Sequence, residues 1–110
     1  MVLYTVCMLK DAQKSVDDLV KGLEPPYWPP LSQFARLSEE VREVARLLNH
    51  MYGLKPKKKE EAEQQLGEEL ADVLFTVVCL ANSHNIDLDI EFEKALDKLR
   101  VRDKDRFVKK

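Results

Sequence analysis

Glycine is scarce in this chain, with three in 110 residues. A turn-rich β-sandwich, which spends glycine at its many tight corners, is disfavoured on that ground. An excess of charge of one sign is also missing. Eighteen basic against twenty acidic residues leave a net charge of −2, which argues against a dedicated binder of polymeric nucleic acid. The two cysteines, Cys7 and Cys79, are far apart and form no CxxC or Cys/His metal spacing. Reduced thiols in a cytoplasmic protein are the simplest reading. No run is long enough to span a bilayer. The apolar opening from Met1 to Leu9 is too short and lacks a basic leader and a small-residue cleavage site.

What is abundant points to helix: leucine, valine, alanine, glutamate and lysine dominate. The length suits one domain, residues 1–110, with 1–8 as an N-terminal arm and 103–110 as a tail able to fray. Four helical segments emerge, without internal repeats. In the first, about 8–21, Leu9, Ala12, Val16, Leu19, Val20 and Leu23 recur at helical spacing. The segment Pro25-Pro26-Tyr27-Trp28-Pro29-Pro30 cannot be helix interior. The second helix should start near Pro30 and end at Tyr52-Gly53, since proline suits a first turn and glycine a C-terminal cap. The third should cover about 61–83, although 73–81 alone also reads as a buried strand. Asp87 or Asp89 can cap the fourth, whose expected buried stripe is Leu88, Phe92, Ala95, Leu96 and Leu99. The third helix is apolar on every side between Val73 and Ala81, so it needs cover on every side. Three other helices hardly provide that, which implies at least a dimer.

Five carboxylates in two clusters carry the chemistry. Glu39, Glu40 and Glu43 form Glu-Glu-x-x-Glu; Glu69 and Asp72 form Glu-x-x-Asp. At about 100° per residue the first three share an arc of about 100°, and the second pair lies about 60° apart. Two antiparallel helices can bring both sets to one site, as bundle cores do when they build metal centres. Desolvation and mutual repulsion make such acids expensive beside apolar faces, and a hard cation offsets both. The absence of histidine from either motif disfavours zinc and suits Mg²⁺, with Mn²⁺ able to substitute. Each cluster alone is more often a solvated helix face. Together, each abutting apolar sequence across one hairpin, they favour metal.

The segments Ala35-Arg36-Leu37-Ser38-Glu39-Glu40-Val41-Arg42-Glu43-Val44-Ala45 and Gly67-Glu68-Glu69-Leu70-Ala71-Asp72-Val73-Leu74-Phe75 resemble the MazG-like nucleotide pyrophosphohydrolases. These are the short, single-domain branch of the all-α nucleoside triphosphate pyrophosphohydrolase superfamily. Cys79-Leu80-Ala81-Asn82-Ser83 and Arg102-Asp103-Lys104-Asp105-Arg106 fit as well, and the likeness covers roughly 13–107. The resemblance implies an all-α, four-helix, MazG-like bundle subunit assembling into a dimer or tetramer, with sites formed where neighbouring subunits meet. It implies Mg²⁺-dependent cleavage between the α and β phosphates of nucleoside or deoxynucleoside triphosphates, yielding a monophosphate and pyrophosphate, in nucleotide-pool house-cleaning. Glu39, Glu40, Glu43, Glu69 and Asp72 match its metal and catalytic acids. Lys98 and Arg102 match its phosphate-binding cations, with Arg106 a weaker candidate. Related sequences usually carry tryptophan where Phe107 stands, and Arg42 replaces a residue that is commonly glycine.

Trp28 and Tyr27 can stack on a base, although packing of the proline turn onto the bundle is the favoured reading. Asn82 either bonds a base or sugar or ends its helix. His50 and His84 read as a helix-end residue and a turn residue. Two rivals remain open at this stage. One is a non-enzymatic helical interaction module with a structural cation. The other is a sister-family enzyme acting on deoxyuridine nucleotides or a phosphoribosyl nucleotide.

Overall fold

The computed structural model describes residues 8–53 and 59–103. The expected arm and tail therefore lie, but for Met8 and Asp103, outside the described residues, as do Cys7, Arg106 and Phe107. Four helices follow in order: α1 (Leu9–Val20), α2 (Pro30–Tyr52), α3 (Lys59–Ser83) and α4 (Leu88–Asp103). The described residues contain no strand, so 73–81 is helix. Its continuity with the preceding helix-forming sequence outweighs the β preference of its valines.

Local chemistry sets the boundaries. Pro30 opens α2 where its missing N–H goes unmissed, and the Gly53 N–H closes it on Asn49 O at 2.7 Å. Asn85, at φ 57°, turns the chain out of α3 in the left-handed region that asparagine tolerates. Asp87 Oδ1 then accepts the N–H groups of Asp89 (2.9 Å) and Ile90 (3.3 Å), capping α4. Asp89 caps a different helix. Its two oxygens accept the Leu9 N–H (2.9 Å) and the Lys10 N–H (3.3 Å) at the start of α1, where Met8 offers no side-chain cap. Asp89→Ala should therefore lower unfolding stability by about 1 kcal/mol. A denaturant midpoint equal to wild type would show that water serves those amides equally well.

The α2–α3 hairpin is the main packing unit. Ser83 at the end of α3 bonds Gln33 near the start of α2, while Glu40, two turns on, meets Glu69 and Asp72. The two helices thus run antiparallel. Helix α1 lies against α3, and α4 packs chiefly against α1. Among the described residues four apolar side chains are buried (Val20, Met51, Val78 and Ala81), and three polar ones join them: Gln33, Glu40 and Thr76. That is a thin core with a large polar share.

The expected buried stripe of α4 is not buried within the chain. Phe92 is 55% and Leu99 44% exposed, Ala95 is exposed, and Leu88 and Leu96 are half-buried. The amphipathic pattern is real, but α1 is too narrow a surface to cover it. Along α3, Leu70, Leu74 and Phe75 are exposed too, so its need for cover is unmet inside one chain.

Candidate active site

The site is written as two facing stripes of polar side chains on α2 and α3. On α2, Gln33, Arg36, Glu40 and Glu43 recur at spacings of three and four, and on α3 so do Glu69, Asp72, Thr76, Cys79 and Ser83. Where the stripes cross, Glu40, Glu69 and Asp72 each offer a carboxylate oxygen within 4.8 Å of the others. The connection between α1 and α2 closes a cavity of about 240 Å³ over the same region. Glu40 and Asp72 belong to both the acid group and the cavity wall.

Glu40 is buried, and Arg36 Nε donates to its Oε1 at 2.9 Å. Glu69 is half-buried; desolvation, then the neighbouring charges of Asp72, Glu40 and Glu43, hold its carboxyl above the usual carboxylate range. Asp72 is exposed. An all-oxygen group whose members repel one another, with one guanidinium nearby, is chemically suited to a hard divalent cation.

The other expected residues fall in different places. Glu43 is half-buried and 3.5 Å from Arg46 Nη1, with its charge still felt at Glu69. Glu39 is exposed and outside the close group. Lys98 and Arg102 are exposed on α4, neither lines the cavity, and the Arg102 guanidinium grips Asp103 at 2.8 and 3.0 Å. Trp28 lines the cavity with about half its surface free. Asn82 sits in the last turn of α3 with its amide fully engaged. Its Nδ2 donates to Gln13 O and Tyr27 Oη, both at 2.9 Å, and its Oδ1 accepts from Gln13 Nε2 at 2.9 Å. Tyr27 Oη in turn donates to Asp17 at 2.7 Å, and desolvation, followed by the Asp17 carboxylate, pushes its phenol up to about 12. The network fixes the proline-rich connection, and so Trp28, against α1 and α3.

Gln33, Arg36, Phe75, Thr76 and Cys79 also line the cavity, and sequence reasoning passed them over. The signal was present: they continue the acid stripes by one or two turns. Burial raises the Cys79 thiol above its ordinary range, so it stays protonated.

Residues 29–107 match the family described as the MazG nucleotide pyrophosphohydrolase domain. The uncharacterized protein YpjD of Bacillus subtilis (strain 168) is 45% identical over 102 residues, 93% of this chain and 92% of that protein. Two crystal structures are similar. The Bacillus-conserved MazG protein, a nucleotide pyrophosphohydrolase, has a TM-score of 0.77 at 40% identity, covering 93% of this chain and 99% of its own. The putative pyrophosphatase YpjD from Bacillus subtilis has a TM-score of 0.76 at 43% identity, covering 89% and 97%. The chain belongs to the MazG nucleotide pyrophosphohydrolase family and is, as such, a hydrolase.

Proposed function

We propose that this protein hydrolyses nucleoside and deoxynucleoside triphosphates at the α–β anhydride, releasing the monophosphate and pyrophosphate, as a cytoplasmic house-cleaning enzyme. The observation that carries this reading is the convergence of Glu40, Glu69 and Asp72 within 4.8 Å, two of them, Glu40 and Asp72, in the wall of a cavity of about 240 Å³. Among the described residues no helix is long and apolar enough to cross a membrane, which suits a soluble substrate pool.

Glu40, Glu69 and Asp72 would hold Mg²⁺, with Glu39 and Glu43 contributing from the adjoining α2 surface. Bound there, Mg²⁺ would offset phosphate charge and favour ionisation of the attacking water. Arg36 keeps the Glu40 carboxylate oriented. One of the acids orients the water, and Trp28 stacks on the base at the cavity mouth. Lys98, Arg102 and Arg106 would reach the phosphates from a neighbouring copy in a dimer or tetramer, since Lys98 and Arg102 stand apart from the acids of their own chain. They would bind the departing pyrophosphate oxygens.

Incubation with each common nucleoside triphosphate and Mg²⁺, with products resolved, tests this. The expected products are monophosphate and pyrophosphate in equal amounts, with turnover abolished by EDTA. Orthophosphate without pyrophosphate would refute the cleavage position. Absence of turnover on every nucleotide would return the acids to surface charge.

A further inference from the structure

The wall of the cavity holds an unpartnered buried polar group. Gln33 is 6% exposed, and its Nε2 has no hydrogen-bond partner among the described residues. A buried amide N–H without an acceptor is unfavourable, and native proteins rarely leave one so. The other end of the carboxamide is held. Gln33 Oε1 lies 3.1 Å from Ser83 Oγ, which is itself 3.0 Å from Leu80 O. Ser83 has one proton for three possible acceptors, since His84 Nδ1 lies 3.2 Å from its Oγ as well as 3.0 Å from Leu80 O. In the tautomer with the proton on Nδ1, His84 donates to Leu80 O and the serine proton is left for Gln33 Oε1. The amide is then oriented, and both Nε2 hydrogens are free for whatever fills the cavity.

The two hydroxyls of the cavity wall are already engaged. The Thr76 hydroxyl donates to Val73 O at 2.8 Å, and the Tyr27 hydroxyl donates to Asp17. Gln33 is the carboxamide of this wall, set beside Val20, Phe75 and Cys79 on one hand and the charged Arg36, Glu40 and Asp72 on the other, with Arg36 Nε held by Glu40. We infer that Gln33 is the specificity-determining residue for the base: its Nε2 donates to a carbonyl oxygen or unprotonated ring nitrogen of a nucleobase in the cavity, with Ser83 positioning the amide. This rests on the reading of the cavity as the base subsite of a nucleotide hydrolase. A site built around one fixed donor favours bases that present an acceptor to it and disfavours those that present an N–H.

Trp28 is the sole tryptophan and lines the cavity, so its fluorescence reports occupancy without turnover. Titration with dAMP, dGMP, dCMP and dTMP in Mg²⁺ should give base-dependent affinities for the wild type. Gln33→Met keeps the volume and removes the donor. It should weaken the preferred nucleotide about tenfold and collapse the spread among the four, while its melting temperature holds or rises because the unpaired amide is gone. Ser83→Ala, which lets the amide turn, should narrow the spread less. An unchanged spread in Gln33→Met, an equal weakening of all four with a lowered melting temperature, or no Trp28 response to any of the four would overturn the inference. If the wild type binds these nucleotides with a Gln33-dependent spread yet hydrolyses no triphosphate, the proposed hydrolysis fails and the role of Gln33 stands.

Discussion

Asp72→Ala is expected to reduce nucleoside triphosphate turnover by at least about 10³-fold without disturbing the helical circular dichroism signal. Asp72 separates chemistry from folding better than the other acids do. It is exposed, so its removal opens no cavity, and no ion pair holds it among the described residues. Its carboxylate raises the Glu69 carboxyl, so the variant relieves repulsion in the metal-free protein. Metal-free melting temperature should therefore stay level or rise. The gain in stability on adding Mg²⁺, about 2.7 kcal/mol for the wild type at a hundredfold excess over Kd, should shrink with the ligand set. Glu40→Ala is a poorer test, because it also empties a buried position and strands Arg36. Glu40→Gln keeps the shape and should be nearly as inactive. Wild-type turnover in Asp72→Ala would remove that residue from the site, and an unchanged Mg²⁺ shift would remove it from the metal.

Local rules made much of this fold legible. Pro30 and Gly53 bracket α2 because proline and glycine act through their own backbone geometry, and the acids of α2 and α3 can be paired because a hairpin of known period leaves few registers. Contacts set by tertiary structure were not legible in that way. Asp87 and Asp89 read as alternative caps for α4; Asp87 takes that place, while Asp89 caps α1, whose N-terminus lies about eighty residues away in sequence. Asn82 reads as a ligand-facing amide or a helix end, yet its hydrogen bonds tie α3 to α1 and the proline-rich connection. Gln33 carries no signal of its own in the sequence, and its role emerges only when Ser83 is placed opposite it. Periodicity shows that a face of α4 is apolar; it does not say which surface covers that face.

That uncovered face yields the second large effect. Phe92→Glu combined with Leu99→Glu should reduce the proposed dimer or tetramer to a monomer of 12.8 kDa by light scattering. The two residues lie two turns apart on one side of α4, at 55% and 44% exposure, and Leu70 and Leu74 of α3 and Phe34 and Val41 of α2 are similarly bare. Apolar surface of that extent is uncommon on a soluble monomer and typical of an interface. A carboxylate at each α4 position would have to be desolvated in any packed assembly, which a thin interface cannot offset. Within the isolated chain both side chains already meet water, so the helices should persist and circular dichroism should change little. Turnover should fall with the mass. Lys98 and Arg102 share α4 with this face and do not line the cavity of their own chain, so on the proposed reading a neighbouring copy would bring them to the phosphates. A wild type that is itself monomeric would refute the assembly. A double variant that keeps the wild-type mass would move the interface to another face. A monomeric variant with full activity would show that each chain carries a complete site and that the cations of α4 are surface charge.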